Sequence, residues 1–123
     1  MAENATVTDE LGTAERLVQL LEGEGFRLDA AVWVADDEGH GRLYLVPRDR
    51  NETELKQMIR VAYTISENRD ELPDRHELRY SVVGPDHPVV QAVRSVRVDA
   101  GKVRGAYKNG TYVDTAYVLP TAA

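Results

Sequence analysis

The sequence predicts an α+β fold with elements in the order α-β-β-α-β-α-β-β, a mainly antiparallel sheet, and helices packed on one face. Three observations carry that prediction. Apolar residues recur at helical spacing within 11–21 and 55–65. β-rich runs come in pairs joined by short glycine-containing turns, at 27–47 and 102–120, and strands joined that way pair antiparallel. The chain has 123 residues, 42% of them apolar and 29% charged, which suits a domain with its own core.

Residues 1–7 are expected to be a loose tail, with a single domain over 8–120. Thr8 is the expected cap of the first helix, followed by Asp9 and Glu10 where acids suit the helix dipole. Leu11, Ala14, Leu17, Val18 and Leu21 then share one face, with Leu20 beside them. Gly23 or Gly25 ends this helix. The run RLDAAVWVA (27–35) and the run GRLYLVP (41–47) read as a hairpin. Val32, Val34, Leu43 and Leu45 are assigned to one of its faces, and Trp33, Tyr44 and Val46 to the other. Both faces are apolar, so both call for cover or a partner.

Asn51 followed by Glu54 resembles a capping box and is expected to open the second helix. Leu55, Met58, Ile59, Ala62 and Ile65 form its apolar stripe. Glu52 is expected to pair with Lys56, for about 0.3 kcal/mol. In HELRYSVV (76–83), His76, Leu78, Tyr80 and Val82 alternate with polar residues, as in a strand with one buried face. Pro88 is placed in the first turn of a short helix, with His87 helping to start it beside Asp86. Asn109-Gly110 between two β-rich runs predicts a two-residue turn that sets Tyr107 opposite Tyr112 and Ala106 opposite Val113.

Chemistry is sparse. There is no cysteine, which excludes disulfides, thiol catalysis and cysteine–zinc sites. The stretch ADDEGHGR (35–42) gathers Asp36, Asp37, Glu38 and His40, but without the alternating carboxylates and distant glutamate of a calcium loop. Asp and Gly are also what a tight turn demands, so it reads as the hairpin connection. His40, His76 and His87 show no metal-ligand spacing. No nucleophile elbow, phosphate loop or dinucleotide fingerprint is present. No catalytic residue, metal or cofactor is therefore assigned. The N-terminal MAENATV lacks a basic start and an apolar stretch, which predicts no secretion leader and a cytoplasmic chain with no membrane association.

Charge is uneven. The net charge is −6, residues 1–41 hold ten acids and two bases, and residues 94–108 hold five bases against one acid. Two functional expectations follow. The first is a noncatalytic module that self-associates or binds a protein partner through Trp33, Tyr44 and Val46, since clustered aromatics are strong interface contributors. On that reading, replacing Trp33 and Tyr44 by alanine leaves the fold intact and abolishes association. The alternative is a nucleic-acid accessory protein using Arg94, Arg97, Lys102, Arg104 and Lys108, with tyrosines nearby for stacking, although the net charge opposes it.

Overall fold

In the computed structural model of the chain, residues 2–35, 41–49, 51–72, 78–96 and 101–121 are described, the side chains of 2–9 excepted. The elements follow the predicted order: α1 (Ala2–Gly23), β1 (Leu28–Ala35), β2 (Gly41–Pro47), α2 (Glu54–Glu67), β3 (Tyr80–Val82), α3 (Pro88–Arg94), β4 (Gly101–Lys108) and β5 (Thr111–Val118). A 3₁₀ turn, Arg69–Glu71, follows α2. The five strands form one sheet in the order β3-β2-β1-β5-β4. The sheet is mixed: β2 and β3 run parallel, and the other pairings are antiparallel. The parallel pair follows from connectivity. The chain leaves β2, passes through α2 and returns, and a helical crossover brings the next strand back in the same direction.

Helix α1 begins at Ala2, so residues 2–7 are helical backbone and the helix does not start at Thr8. The predicted face is the buried one: Ala14, Leu17, Val18 and Leu21 lie in the core. Its end is a Schellman motif. Gly25 (φ 88) sits in the left-handed region, its N–H donates to Glu22 O, and Phe26 N–H donates to Leu21 O at 2.9 Å. Phe26 then joins Leu21 in the same apolar cluster.

The β1–β2 hairpin pairs Trp33 with Leu43, Val32 with Tyr44 and Ala35 with Gly41. Opposed residues share a face, so this register reverses the expected grouping. Trp33 lies with Leu43 and Leu45, and Tyr44 lies with Val32. The five residues 36–40 join the strands, and a one-residue change in a connection moves every side chain of one strand to the other face. Trp33, Leu43 and Leu45 pack with residues of α1 and Val61 of α2. Val32 packs with Ala92 and Val93 of α3 and with Val103, Ala106 and Ala116. Neighbours on a strand point to opposite faces. Hence α1 and α2 cover one face, and α3 covers the other instead of joining them.

Gly41 is required by close approach. A Cβ added there would lie 1.9 Å from two atoms of the Trp33 indole. Its N–H donates to the buried Glu10 carboxylate at 3.1 Å. A buried carboxylate is tolerable only with such partners. Helix α2 is capped by Thr53, whose hydroxyl accepts from Lys56 N–H at 3.2 Å, rather than by Asn51. Glu52 pairs with Arg60 instead of Lys56. Thr53→Ala should cost about 1 kcal/mol in urea unfolding, whereas Asn51→Ala should leave stability nearly unchanged.

Helix α3 starts as expected, with Pro88 in its first turn and His87 Nδ1 accepting from Val89 N–H at 3.2 Å. The C-terminal hairpin also agrees. Asn109 (φ 51) and Gly110 (φ 87) form the turn, and Tyr107 faces Tyr112. β3 spans Tyr80–Val82 with Leu78 and Val82 buried; His76 lies outside the described residues.

Candidate functional site

The feature that sets this chain apart is the orientation of α2. Four of the five residues of the stripe expected to be core, Leu55, Met58, Ile59 and Ala62, are exposed, and the fifth, Ile65, is half-buried against the core. Leu55 is 69% exposed, Ile59 59%, Tyr63 64% and Met58 40%. The residues of α2 that are buried are Gln57, Val61 and Thr64. At 100° per residue, Leu55, Ile59 and Tyr63 follow one another up the outer side, while Gln57, Val61 and Thr64 fall opposite.

The inward polar groups are all satisfied. Gln57 Nε2 donates to Asp49 O at 2.7 Å. Thr64 Oγ1 donates to Glu24 Oε2 at 2.7 Å, and Asn68 Nδ2 donates to Thr64 O at 2.8 Å. Among the described residues, no buried side-chain nitrogen or oxygen lacks a partner. These bonds tie α2 to the end of α1 and to the segment after β2. They let the helix bury a polar face, with only Val61 as its fully buried apolar anchor.

Around this face the surface is sculpted. A hollow of about 250 Å³ lies between Phe26, Ile59, Arg60 and Tyr63. Arg60 forms one wall, with its guanidinium 4.8 Å from the Phe26 ring centroid and its Nη1 3.2 Å from both Glu52 oxygens. On the far side of Arg60 a second hollow of about 220 Å³ includes Arg27 and Arg48. A third, of about 440 Å³, is rimmed by Asp49, Glu52, Glu54 and Asp86. The Thr64 hydroxyl and the Glu24 carboxylate that accepts from it line the first hollow, and among the described residues no group of three or more His, Asp or Glu side chains is placed to hold a metal. Burial raises the Tyr80 phenol above its usual value.

The contact residues expected from the sequence fall elsewhere. Trp33 is 1% exposed and Val46 is fully buried. Neither side chain presents surface, because the sheet is covered on both sides. Trp33 instead meets Tyr117 with ring centroids 5.8 Å apart. Tyr44 is half-buried against His87, 5.2 Å away between centroids, under the start of α3. Of the basic segment, Arg94, Lys102, Arg104 and Lys108 are exposed. Lys102 Nζ sits 5.7 Å from the Tyr117 ring centroid. Arg97 lies outside the described residues, as do Asp36, Asp37, Glu38 and His40. The outer face of α2 was legible as an apolar stripe. Its outward direction was not, because periodicity marks a face without saying what lies opposite it.

No family model matches the chain, and neither a curated protein nor a solved structure matches it. Among the described residues, no helix is long and apolar enough to cross a membrane.

Proposed function

We propose that this protein is a small noncatalytic interaction module whose contact surface is the outer face of α2. One observation carries the reading: Leu55, Ile59 and Tyr63, each more than half exposed, line one side of a helix whose inward side mixes the polar Gln57 and Thr64 with Val61 and the half-buried Ile65. Burying a side chain of this size is worth about 1.5–3 kcal/mol. The opposite orientation of α2 would collect that gain within the monomer. The chain instead holds its apolar face outward with specific hydrogen bonds, as contiguous exposed apolar patches on interaction sites do.

Leu55→Glu combined with Ile59→Glu tests this. Exposed sites tolerate substitution within about 0.5 kcal/mol each, so thermal unfolding should be nearly unchanged. Self-association, read by light scattering across a dilution series, should be lost. Unfolding of the variant would make the face part of the fold and defeat the reading.

A second reading keeps the basic segment. Tyr107 and Tyr112 are cross-strand neighbours, 64% and 62% exposed, on a hairpin that also carries Lys102, Arg104 and Lys108. Bases stack on such rings while lysine and arginine hold the phosphates. This reading predicts binding of a labelled single-stranded oligonucleotide that weakens steeply with salt. Absence of binding at low salt dismisses it.

A further inference from the structure

Accepting α2 as a contact surface, we propose that its occupant is the β4–β5 hairpin of a second copy of this chain. Two groups of large apolar side chains stand exposed among the described residues beyond the isolated Val96: Leu55, Met58, Ile59 and Tyr63 on α2, and Tyr107 and Tyr112 on the hairpin. One contact covers both. Within a single chain they are kept apart. Helix α2 packs beside β3 at one edge of the sheet, the hairpin ends at β4 on the other edge, and β2 and β1 lie between. A contact joining the two patches therefore runs from one copy to the next.

Charge supports this pairing. Residues 52–71 carry five acids against three bases. Arg60 holds Glu52 and Arg16 holds Glu71. Glu54, at the start of α2, and Glu67 and Asp70, at its end, make no ion pair among the described residues, and with Lys56 and Arg69 beside them the stretch keeps a net negative charge. The hairpin presents Lys102, Arg104 and Lys108 against Asp114. Opposite potentials steer the right patches together, and two like-charged patches repel. An α2 face meeting another α2 face would set two net-negative surfaces together. Lengths also agree. Fourteen helical residues span about 21 Å, and eight strand residues span about 26 Å. Tyrosine is among the residues most enriched at such contacts.

The test mixes two variants. One is Leu55→Glu with Ile59→Glu, which removes the helix patch. The other is Tyr107→Thr with Tyr112→Thr, which removes the hairpin patch and keeps strand-forming residues. Each is followed alone and in a 1:1 mixture by sedimentation velocity. The wild type is expected to gain mass with concentration. Each variant alone should associate at least roughly thirtyfold more weakly. The mixture should form a 1:1 heterodimer, because each variant retains the half the other lacks. Four results overturn the inference. If the hairpin variant associates like the wild type while the helix variant does not, α2 packs on α2 or on another element, and the reading of α2 as a contact surface survives. If the helix variant associates like the wild type, that reading fails as well. If the wild type stays monomeric, or the mixture does, the hairpin of a second copy is not the occupant. If an oligonucleotide binds the wild type and Tyr107→Thr with Tyr112→Thr removes that binding without changing mass, the hairpin faces nucleic acid.

Discussion

Trp33→Ala should destabilise the fold by about 3–5 kcal/mol, the range for removing a large aromatic from a core. The indole is among the largest fully buried side chains in the protein. It sits in the centre of the sheet, paired across to Leu43 on β2 and to Tyr117 on β5. It also packs in the cluster that joins α1, α2 and the sheet. The expectation that Trp33 and Tyr44 could both be truncated without harm is thereby reversed. Tyr44→Ala alone should cost less, since its ring is half-buried and touches the His87 cap. Urea unfolding followed by circular dichroism separates the two, and it does not depend on the tryptophan signal. A loss below about 1 kcal/mol for Trp33→Ala would be incompatible with an indole in the core.

Gly41→Ala should be the most damaging substitution by a single methyl group, at about 3 kcal/mol, the upper end for overpacking. The added Cβ would overlap the Trp33 ring, with 1.9 Å to Cε2 and Cζ2. The backbone cannot simply recede, because Gly41 N–H is held by the Glu10 carboxylate at 3.1 Å in a buried setting. Pulling the strand away would cost that buried carboxylate a hydrogen bond. A double-mutant cycle gives the decisive measurement. In a Trp33→Leu background the methyl has room, so Gly41→Ala should cost little more. The coupling term should be about 1–3 kcal/mol. Additive losses would mean that the indole and Gly41 do not meet.

What the sequence made legible was local. The end of α1 was readable from the Gly23 and Gly25 pair, the start of α3 from Pro88, and the last hairpin from Asn109-Gly110. In each case a residue with unusual backbone freedom or constraint acts on its immediate neighbours. What it did not make legible was set by partners far along the chain. The outward turn of α2 depends on Asp49 and Glu24 accepting from Gln57 and Thr64, and no periodicity within 54–67 reports that. The burial of Trp33 depends on the register that pairs it with Leu43. The parallel pairing of β3 with β2 depends on where α2 returns the chain. The position of α3 on the opposite face depends on which side of β4 and β5 its valine and alanine residues reach. Each of these is a tertiary choice between locally equivalent arrangements.

The strand at the open edge has one further consequence. Between Arg104↔Thr115 and Ala106↔Val113 the β4–β5 ladder passes Gly105, whose φ is 66. Burial along β4 falls at Val103 and Ala106 instead of alternating. Lys102, Arg104 and Lys108 stud the same strand. A bent, lysine- and arginine-bearing border is a poor template for another chain's backbone. The β4 edge is thus a poor place for the sheet to grow into a continuous fibre, even though that border displays Tyr107. Any neighbour that settles there must be recognised by the side chains and not by the peptide groups.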